Sequence, residues 1–137
     1  MTDILKKIID HLNNNNLSEA FNLCENNEDN KIKHVIYNIK GVIFFKQQKL
    51  EQAKKEFLRS IELDKSFVDP YKNLFKLNLK AQDYKSAINN GEKVIELEIQ
   101  KNSVSYFNLA LAYDLNKDYK KAINLYKAIE ISNFKEK

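Results

Sequence analysis

The sequence predicts an all-α fold, a solenoid of about four helix-turn-helix repeats. Two series of similar residues recur at intervals of about 34 positions, and each interval holds two stretches with helical apolar spacing. The 137 residues include two glycines and one proline, whereas sandwiches and barrels need turn residues every few positions. An apolar content of 43% with 31% charged residues is typical of a globular chain rather than a disordered one.

An alanine recurs near the start of the second helical stretch of each interval. Ala20, Ala53, Ala87 and Ala122 follow one another at spacings of 33, 34 and 35 residues. A second series, formed by Ile61, Ile95 and Ile129, recurs every 34 residues. Because two independent series agree, we expect four repeats, over residues 1–33, 34–67, 68–102 and 103–136, in a single domain that spans 1–137.

The two stretches of each repeat predict two helices separated by a short polar break. In the last repeat Tyr106, Leu109 and Tyr113 fall on one helical face. Asp69 followed by Pro70 indicates a helix start, with a capping carboxylate before a proline at the first helical position. The short breaks predict antiparallel hairpins. The expected helices span 3–13, 17–27, 32–46, 50–63, 70–81, 84–97, 103–116 and 119–131.

The recurring alanines have a steric explanation. Two helices approach each other closely only where the facing side chains are small. We therefore expect the alanine of a repeat to pack opposite a small residue of the preceding helix, Gly41 in the second repeat and Ala110 in the fourth.

Aromatic and small residues recur at fixed places in the second and fourth repeats. The second repeat carries Tyr37, Gly41, Phe44, Ala53 and Phe57, and the fourth carries Tyr106, Leu109, Ala110, Tyr113, Ala122 and Tyr126. The third repeat departs, with Phe75, Asn78 and Gly91 where the others have a small residue and two aromatic ones. This pattern resembles that of tetratricopeptide repeat proteins. The resemblance implies a right-handed superhelical solenoid, in which the first helices of the repeats line a concave groove for a peptide or a partner helix.

No sequence motif points to catalysis. The chain has no glycine-rich phosphate loop, no G-x-S-x-G elbow and no H-E-x-x-H pair, so we expect neither an enzyme nor a cofactor or metal. His11 and Cys24 fall where the resemblance places facing helices, and two interpretations are open, a Cys–His dyad or two packing residues. The lack of a third orienting residue favours packing. His34, at the start of a helix, is expected to be a solvated polar residue.

A second apolar face indicates where a partner would bind. Such residues lie off the packing stripe in the second repeat, around Val42, and in the fourth, at Phe107. Exposed apolar patches usually have a partner, although burial between repeats is the alternative. The candidate groove residues, which include asparagines at places where similar proteins hold a ligand backbone, are Val35, Asn38, Ile39, Val42, Phe45, Lys72, Asn73, Lys76, Lys80, Phe107, Asn108 and Leu111.

The third repeat lies between these patches and is basic. Lys72, Lys76 and Lys80 share one helical face, a pattern that favours an acidic partner segment, with a solvated lysine face as the alternative. Only one of the 23 basic residues of the chain is an arginine, Arg59. Arginine is the preferred reader of bases and phosphates, so we do not expect nucleic-acid binding.

These observations predict a protein-interaction adaptor or scaffold that binds a protein or peptide segment in its groove. No apolar run suits a membrane span or a secretory signal, and the single cysteine fits a reducing compartment, so we expect a cytoplasmic protein. Two alternatives remain open. The repeats could precede a transferase domain of the glycosyltransferase or sulfotransferase type. They could also form a homo-oligomer, because Ile123, Tyr126, Ile129 and Phe134 leave apolar positions on the last helix.

Overall fold

In the computed structural model, all regular structure within residues 2–135 is helical. Side chains are described as far as residue 131, so the predicted apolar side chain of Phe134 lies outside the described part. The all-α fold is confirmed, and the eight α-helices of the described chain each begin within one residue of the predicted start. They are α1 (Asp3–Asn13), α2 (Leu17–Glu25), α3 (Lys33–Lys46), α4 (Leu50–Leu63), α5 (Asp69–Lys80), α6 (Tyr84–Leu97), α7 (Ser103–Leu115) and α8 (Tyr119–Lys135).

Internal contacts divide the chain into two compact units, which we call the N-terminal unit (Met1–Pro70) and the C-terminal unit (Tyr71–Lys137). In the N-terminal unit α1 packs on α2, α2 on α3, and α3 on α4. In the C-terminal unit α6 packs on α7 and α7 on α8, while Phe75 of α5 joins the same core as Ala87 of α6. The single domain expected over 1–137 stays a prediction.

The turns inside the four repeats share one backbone geometry. Each contains a residue with positive φ, namely Asn15 (59°), Gln48 (64°), Gln82 (59°) and Lys117 (67°). In the third repeat the Asp83 N–H donates to the carbonyl of Asn78 (2.9 Å), and the Gln82 N–H donates to that of Leu79 (3.1 Å). The other three turns have the same pair of bonds, which is the Schellman motif that ends a helix. The chain therefore reverses in every repeat without a glycine.

The repeat alanines all lie in the interior, as the sequence predicted. The core of the N-terminal unit is formed by Leu5, Ile8, Ala20, Cys24, Ile36, Ile39 and Ile43. The core of the C-terminal unit is formed by Phe75, Ala87, Ile88, Leu109, Ala112, Tyr113 and Ala122. Among the described residues, no helix has the length and apolar character needed to cross a bilayer.

The two glycines show how the helices of a repeat approach each other. A Cβ atom built on Gly41 would lie 2.5 Å from Cε1 of Phe57, so the fully buried Phe57 ring rests directly on the backbone of α3. The sequence predicted Ala53 at this place, but the nearest atoms belong to the Phe57 ring, which is one helical turn further along α4. In the third repeat the two residue types are exchanged. A Cβ on Gly91 of α6 would lie 3.4 Å from the ring of Phe75 of α5 and 3.1 Å from Cδ1 of Leu109.

Candidate functional site

The C-terminal unit contains an open cleft of about 330 Å³ between residues of α5, α6 and α7. Its apolar wall is formed by Phe75, Leu79, Gly91, Val94 and Val104, and its polar residues are Lys72, Lys76, Asn102, Ser105 and Asn108. The volume is at the small end of the range of ligand pockets. The cleft therefore suits one side chain, with a short stretch of the chain that carries it.

Two polar residues of the cleft, Lys72 and Asn102, contact a largely buried carboxylate outside it. Glu98 has a side chain that is only 13% exposed, and its Oε2 lies 3.6 Å from Nζ of Lys72. The same oxygen accepts a hydrogen bond from the Asn102 side-chain amide (3.2 Å). The side-chain Oδ1 of Asn102 in turn accepts from the backbone N–H of Val104 (2.9 Å), which caps α7. Lys72, Glu98 and the start of α7 are thus joined in one polar network.

Lys76 has different surroundings, although it lies one helical turn from Lys72. Its side chain is exposed at the rim of the cleft and forms no ion pair with any residue that the structure describes. No aspartate or glutamate is among the residues that line the cleft. The rim therefore carries a positive charge that an anionic group could approach.

Three of the predicted groove residues meet in this cleft, namely Lys72, Lys76 and Asn108. Asn73 and Lys80 also lie on α5 but do not line it. Phe107 is 52% exposed, and its ring lies 5.8 Å from that of Tyr126. Leu111, on the same helix, is half-buried. The structure thus collects part of the predicted set and leaves an apolar surface on α7 beside it.

The five predicted groove residues of the N-terminal unit are less accessible. Ile39 is 7% exposed and belongs to the core, and Asn38 is equally buried. Val35 packs against that core, while Val42 and Phe45 are half-buried. The reason is that α3 packs on both α2 and α4, so that more than one stripe of the helix is covered. Ile39 is therefore a packing residue, and the apolar surface expected on α3 is reduced to the half-buried Val35, Val42 and Phe45.

Most of the apolar wall was not among the predicted site residues. Phe75 and Gly91 were noted in the sequence as departures from the repeat pattern, and that departure was the available signal. Asn102 stands directly before the predicted start of α7, where an asparagine is typical of a helix cap. Leu79 and Val94 have ordinary helical spacing, so no pattern in the sequence distinguishes them from core residues.

Cys24 lies in the core of the N-terminal unit. Burial raises the pKa of its thiol to about 12, against a smaller opposing effect of Lys40. A thiol with such a pKa is protonated at neutral pH, whereas a nucleophilic cysteine needs a thiolate. The packing interpretation of Cys24 is thus the one that the structure supports.

His34 is more constrained than the sequence predicted. It is half-buried, its ring lies 5.1 Å from that of Phe67, and its Nε2 lies 3.8 Å from an Asp64 oxygen. Its backbone carbonyl accepts a hydrogen bond from the buried hydroxyl of Ser60 (2.7 Å). The expectation of a solvated residue was therefore wrong, because the end of α4 and the segment after it cover the start of α3. Within the described part of the chain, no group of three or more His, Cys, Asp or Glu side chains could hold a metal ion.

Comparison with known proteins identifies two of the repeats. Residues 34–67 and 103–133 match the tetratricopeptide repeat model, and these regions correspond to the second and fourth predicted repeats. No curated protein matches the chain.

Solved structures show the same fold. MamA has a TM-score of 0.81 at 19% identity, over 97% of this chain and 78% of that one. MamA of Desulfovibrio magneticus RS-1, from residue 41 to its end, has a TM-score of 0.76 at 20% identity, over 94% and 75%. The second tetratricopeptide domain of Spaghetti (RPAP3), solved with the HSP90 peptide SRMEEVD, has a TM-score of 0.66 at 22% identity, over 74% and 94%. The resemblance noted in the sequence is confirmed: residues 34–67 and 103–133 match the tetratricopeptide repeat model, and the chain has the fold of tetratricopeptide repeat proteins.

Proposed function

We propose that this protein is a non-enzymatic adaptor of the cytoplasm that binds an extended segment of another protein, with the cleft of the C-terminal unit as part of its binding surface. The observation that carries the proposal is the cleft itself, with its apolar wall, its amide and hydroxyl groups and its lysine rim. The Spaghetti domain was solved with a bound peptide, which supports a peptide as the class of ligand.

The polar groups of the cleft suit an extended backbone. A side-chain amide such as that of Asn108 can donate to a backbone carbonyl and accept from a backbone N–H at the same time. These bonds hold the chain without selecting its side chains. Because Asn108 sits on a helix packed in the core, it is held in place before the partner arrives, which lowers the entropy lost on binding.

Further contacts would extend this surface. Phe107 and Leu111 continue the apolar face of α7, and Lys80 and Asn73 add polar groups on α5. The lysines favour a segment that carries acidic residues. In the N-terminal unit the predicted groove residues Val35, Val42 and Phe45 are half-buried and form a separate candidate contact.

A displayed library of random decapeptides, selected on the purified protein, tests this proposal. Fluorescein-labelled copies of the enriched peptides are then titrated in fluorescence anisotropy. Asn108→Leu should weaken binding about tenfold, since two hydrogen bonds contribute roughly 1–1.5 kcal/mol together. The control is Asn89→Leu, a change at an exposed asparagine of α6 that does not line the cleft.

Failure to enrich any peptide that binds the wild type would contradict the proposed function. Equal weakening by the Asn108 and Asn89 variants would contradict the place of the site. Val42→Glu reports on the N-terminal unit, because a carboxylate there should repel an acidic peptide if α3 contributes to binding.

Self-association is a second candidate, favoured by apolar side chains that the C-terminal unit leaves exposed. Phe107, Tyr119 and Ile123 are each about half exposed. Contiguous exposed apolar surface is a frequent feature of interfaces. Light scattering over a dilution series should then show a mass above 16.1 kDa that falls to it on dilution, and Ile123→Lys should remove the larger species.

A further inference from the structure

We propose that the cleft of the C-terminal unit seats one apolar side chain of the bound segment, and that Lys76, not Lys72, pairs with a carboxylate on a neighbouring residue of that segment. This inference rests on the proposed function and specifies the chemistry of the partner. Three observations lead to it, namely the composition of the wall, the ion pair of Lys72 and the exposure of Lys76.

The wall of the cleft is apolar because the third repeat exchanges a large and a small residue. Gly91 leaves α6 without a side chain, and the Phe75 ring of α5 lies against it with 3.4 Å to the place of a Cβ atom. The ring therefore faces the cleft together with Leu79 and Val94. A hydrocarbon side chain that entered the cleft would move from water to an apolar surface, which is favourable. A polar side chain would lose its hydration without gaining hydrogen-bond partners among these groups.

Lys72 is already engaged within the protein. Its ammonium group lies 3.6 Å from the carboxylate of Glu98, whose side chain is largely buried. If an anionic ligand drew Lys72 away, it would leave that carboxylate without its cation, which is unfavourable for a buried charge. The Asn102 amide that caps α7 binds the same oxygen. Lys72 is therefore a structural residue of the cleft.

Lys76 has no such engagement. It lies one turn further along α5, is exposed, and is not ion-paired to any described residue. An apolar side chain seated against Phe75 and Leu79 would bring the adjacent residues of the segment past this rim, because all these positions lie along one stretch of α5. A carboxylate on such a residue would meet the charge of Lys76. The occupant that fits is thus an extended peptide with an apolar residue next to an aspartate or glutamate.

The decapeptide library described above also tests this inference. The enriched sequences should share an apolar residue with an acidic neighbour. Lys76→Met, which keeps an unbranched apolar stem, should weaken the labelled peptide three- to fivefold and reduce the salt dependence of its binding. Lys85→Met, at an exposed lysine of α6 that does not line the cleft, is the control and should change the affinity less than twofold, with circular dichroism to verify that it folds. Lys72→Met distinguishes the two lysines of the cleft: whatever its own affinity, this variant should still lose three- to fivefold when the acidic residue of the peptide is replaced by its amide. Replacing the acidic residue of the peptide by its amide should weaken binding to the wild type by the same three- to fivefold, and should have no further effect on the Lys76 variant.

Nuclear magnetic resonance locates the apolar residue of the peptide. The chain has two glycines, Gly91 in the wall of the cleft and Gly41 in the other unit. On addition of the peptide the amide signal of Gly91 should shift, and the signal of Gly41 reports separately on whether the peptide also reaches α3. Alanine in place of the apolar peptide residue should weaken binding about tenfold.

The outcomes separate the two proposals. If peptides bind and Asn108→Leu weakens them, but the amide peptide loses affinity for the Lys76 variant and not for the Lys72 variant, or the Gly91 signal does not move, this inference is overturned and the proposed function stands. If no peptide binds the wild type, both are overturned.

Discussion

The second and third repeats solve the same packing problem with opposite residues. In the second, α3 offers Gly41 and α4 covers it with the ring of Phe57. In the third, α6 offers Gly91 and α5 covers it with the ring of Phe75. Both pairs let two helices approach closely, since a large side chain lies against a bare backbone. The two rings differ in their surroundings. Phe57 is fully buried, while Phe75 also forms part of the wall of an open cleft.

This comparison shows that a repeat can keep its fold while changing its surface. A ring carried by the second helix is enclosed, as Phe57 is in the N-terminal unit. A ring carried by the first helix, as Phe75 is in the C-terminal unit, also forms part of the wall of the cleft. The repeat that departs from the pattern is thus the one that supplies much of the apolar wall of the cleft.

Truncating the rings of Phe57 and Phe75 to alanine should give the largest difference in the free energy of unfolding. Phe57→Ala should lower the free energy of unfolding by about 4 kcal/mol, since it loses the transfer free energy of the ring and leaves an enclosed cavity. Phe75→Ala should cost about 2 kcal/mol, because water can enter from the cleft and the transfer contribution alone is lost. Urea denaturation followed by circular dichroism measures both. Equal losses of stability would show that water from the cleft does not fill the space left by the Phe75 ring.

Replacing the two glycines by alanine should change the free energy of unfolding in opposite directions. At Gly41 a methyl group would lie 2.5 and 2.6 Å from two atoms of a ring that has no free space. The overpacking of about 1–3 kcal/mol should exceed the gain in helix propensity of about 1 kcal/mol, so Gly41→Ala should lower stability by up to about 2 kcal/mol.

At Gly91 the nearest atom would be the terminal methyl of Leu109 at 3.1 Å, which can shift by a few tenths of an ångström. Gly91→Ala should therefore raise stability, by up to about 1 kcal/mol. The two variants are compared in the same urea titration, and destabilisation of similar size at both positions would contradict the difference between the repeats.

The sequence predicted the helices well because their signals are local. Apolar spacing and the repeated alanines place each start within one residue, and the repeat pattern identifies the residues of the packing stripe. The burial of Ile39, by contrast, depends on contacts between residues far apart in the sequence. Ile39 is buried because α3 packs on two helices, and its spacing resembles that of an exposed apolar face.

The different roles of Lys72 and Lys76 were also out of reach of the sequence. Both lie on one face of α5, and nothing in their spacing distinguishes them. The distinction comes from Glu98, which lies after the end of α6 and reaches Lys72 across the unit. Contacts between residues far apart in the chain are not encoded in any periodicity. The exchange of Phe75 and Gly91, by contrast, was visible in the sequence, and its consequence for the surface was not.

The fourth repeat allows a smaller test, by pH. Tyr113 occupies the place of Phe44 in the second repeat, and its hydroxyl donates a hydrogen bond to Glu92. Burial, followed by this hydrogen bond, raises the pKa of Tyr113 from 10.0 to about 12. Because the pKa is higher in the folded state, the stability contributed by this group is complete below pH 10 and is lost as the pH rises toward 12.

Tyr113→Phe makes the fourth repeat resemble the second at this position and checks that dependence. At pH 8 the variant should be less stable than the wild type by about 1 kcal/mol, the usual contribution of one hydrogen bond. The difference should shrink between pH 10 and 12, and subtracting the variant's curve cancels the titration of the other tyrosines and the lysines. A difference that stays constant to pH 12 would mean that folding does not raise the pKa of this hydroxyl.

The smallest expected effect concerns what the repeats share. Gln82 in the third repeat and Lys117 in the fourth both have positive φ in the same Schellman turn. For a residue other than glycine this conformation costs roughly 1–2 kcal/mol, while glycine loses about 0.5–1 kcal/mol more backbone entropy on folding. Gln82→Gly and Lys117→Gly should therefore each raise stability, by about 0.5 kcal/mol. Because both turns have the same hydrogen bonds whatever the packing of their helices, the two gains should agree within error in thermal and urea denaturation. If one variant is stabilised and the other destabilised, the residue exchange at Phe75 and Gly91 also alters the backbone of the turn in the third repeat. The two repeats would then differ in their backbone as well as in their surface.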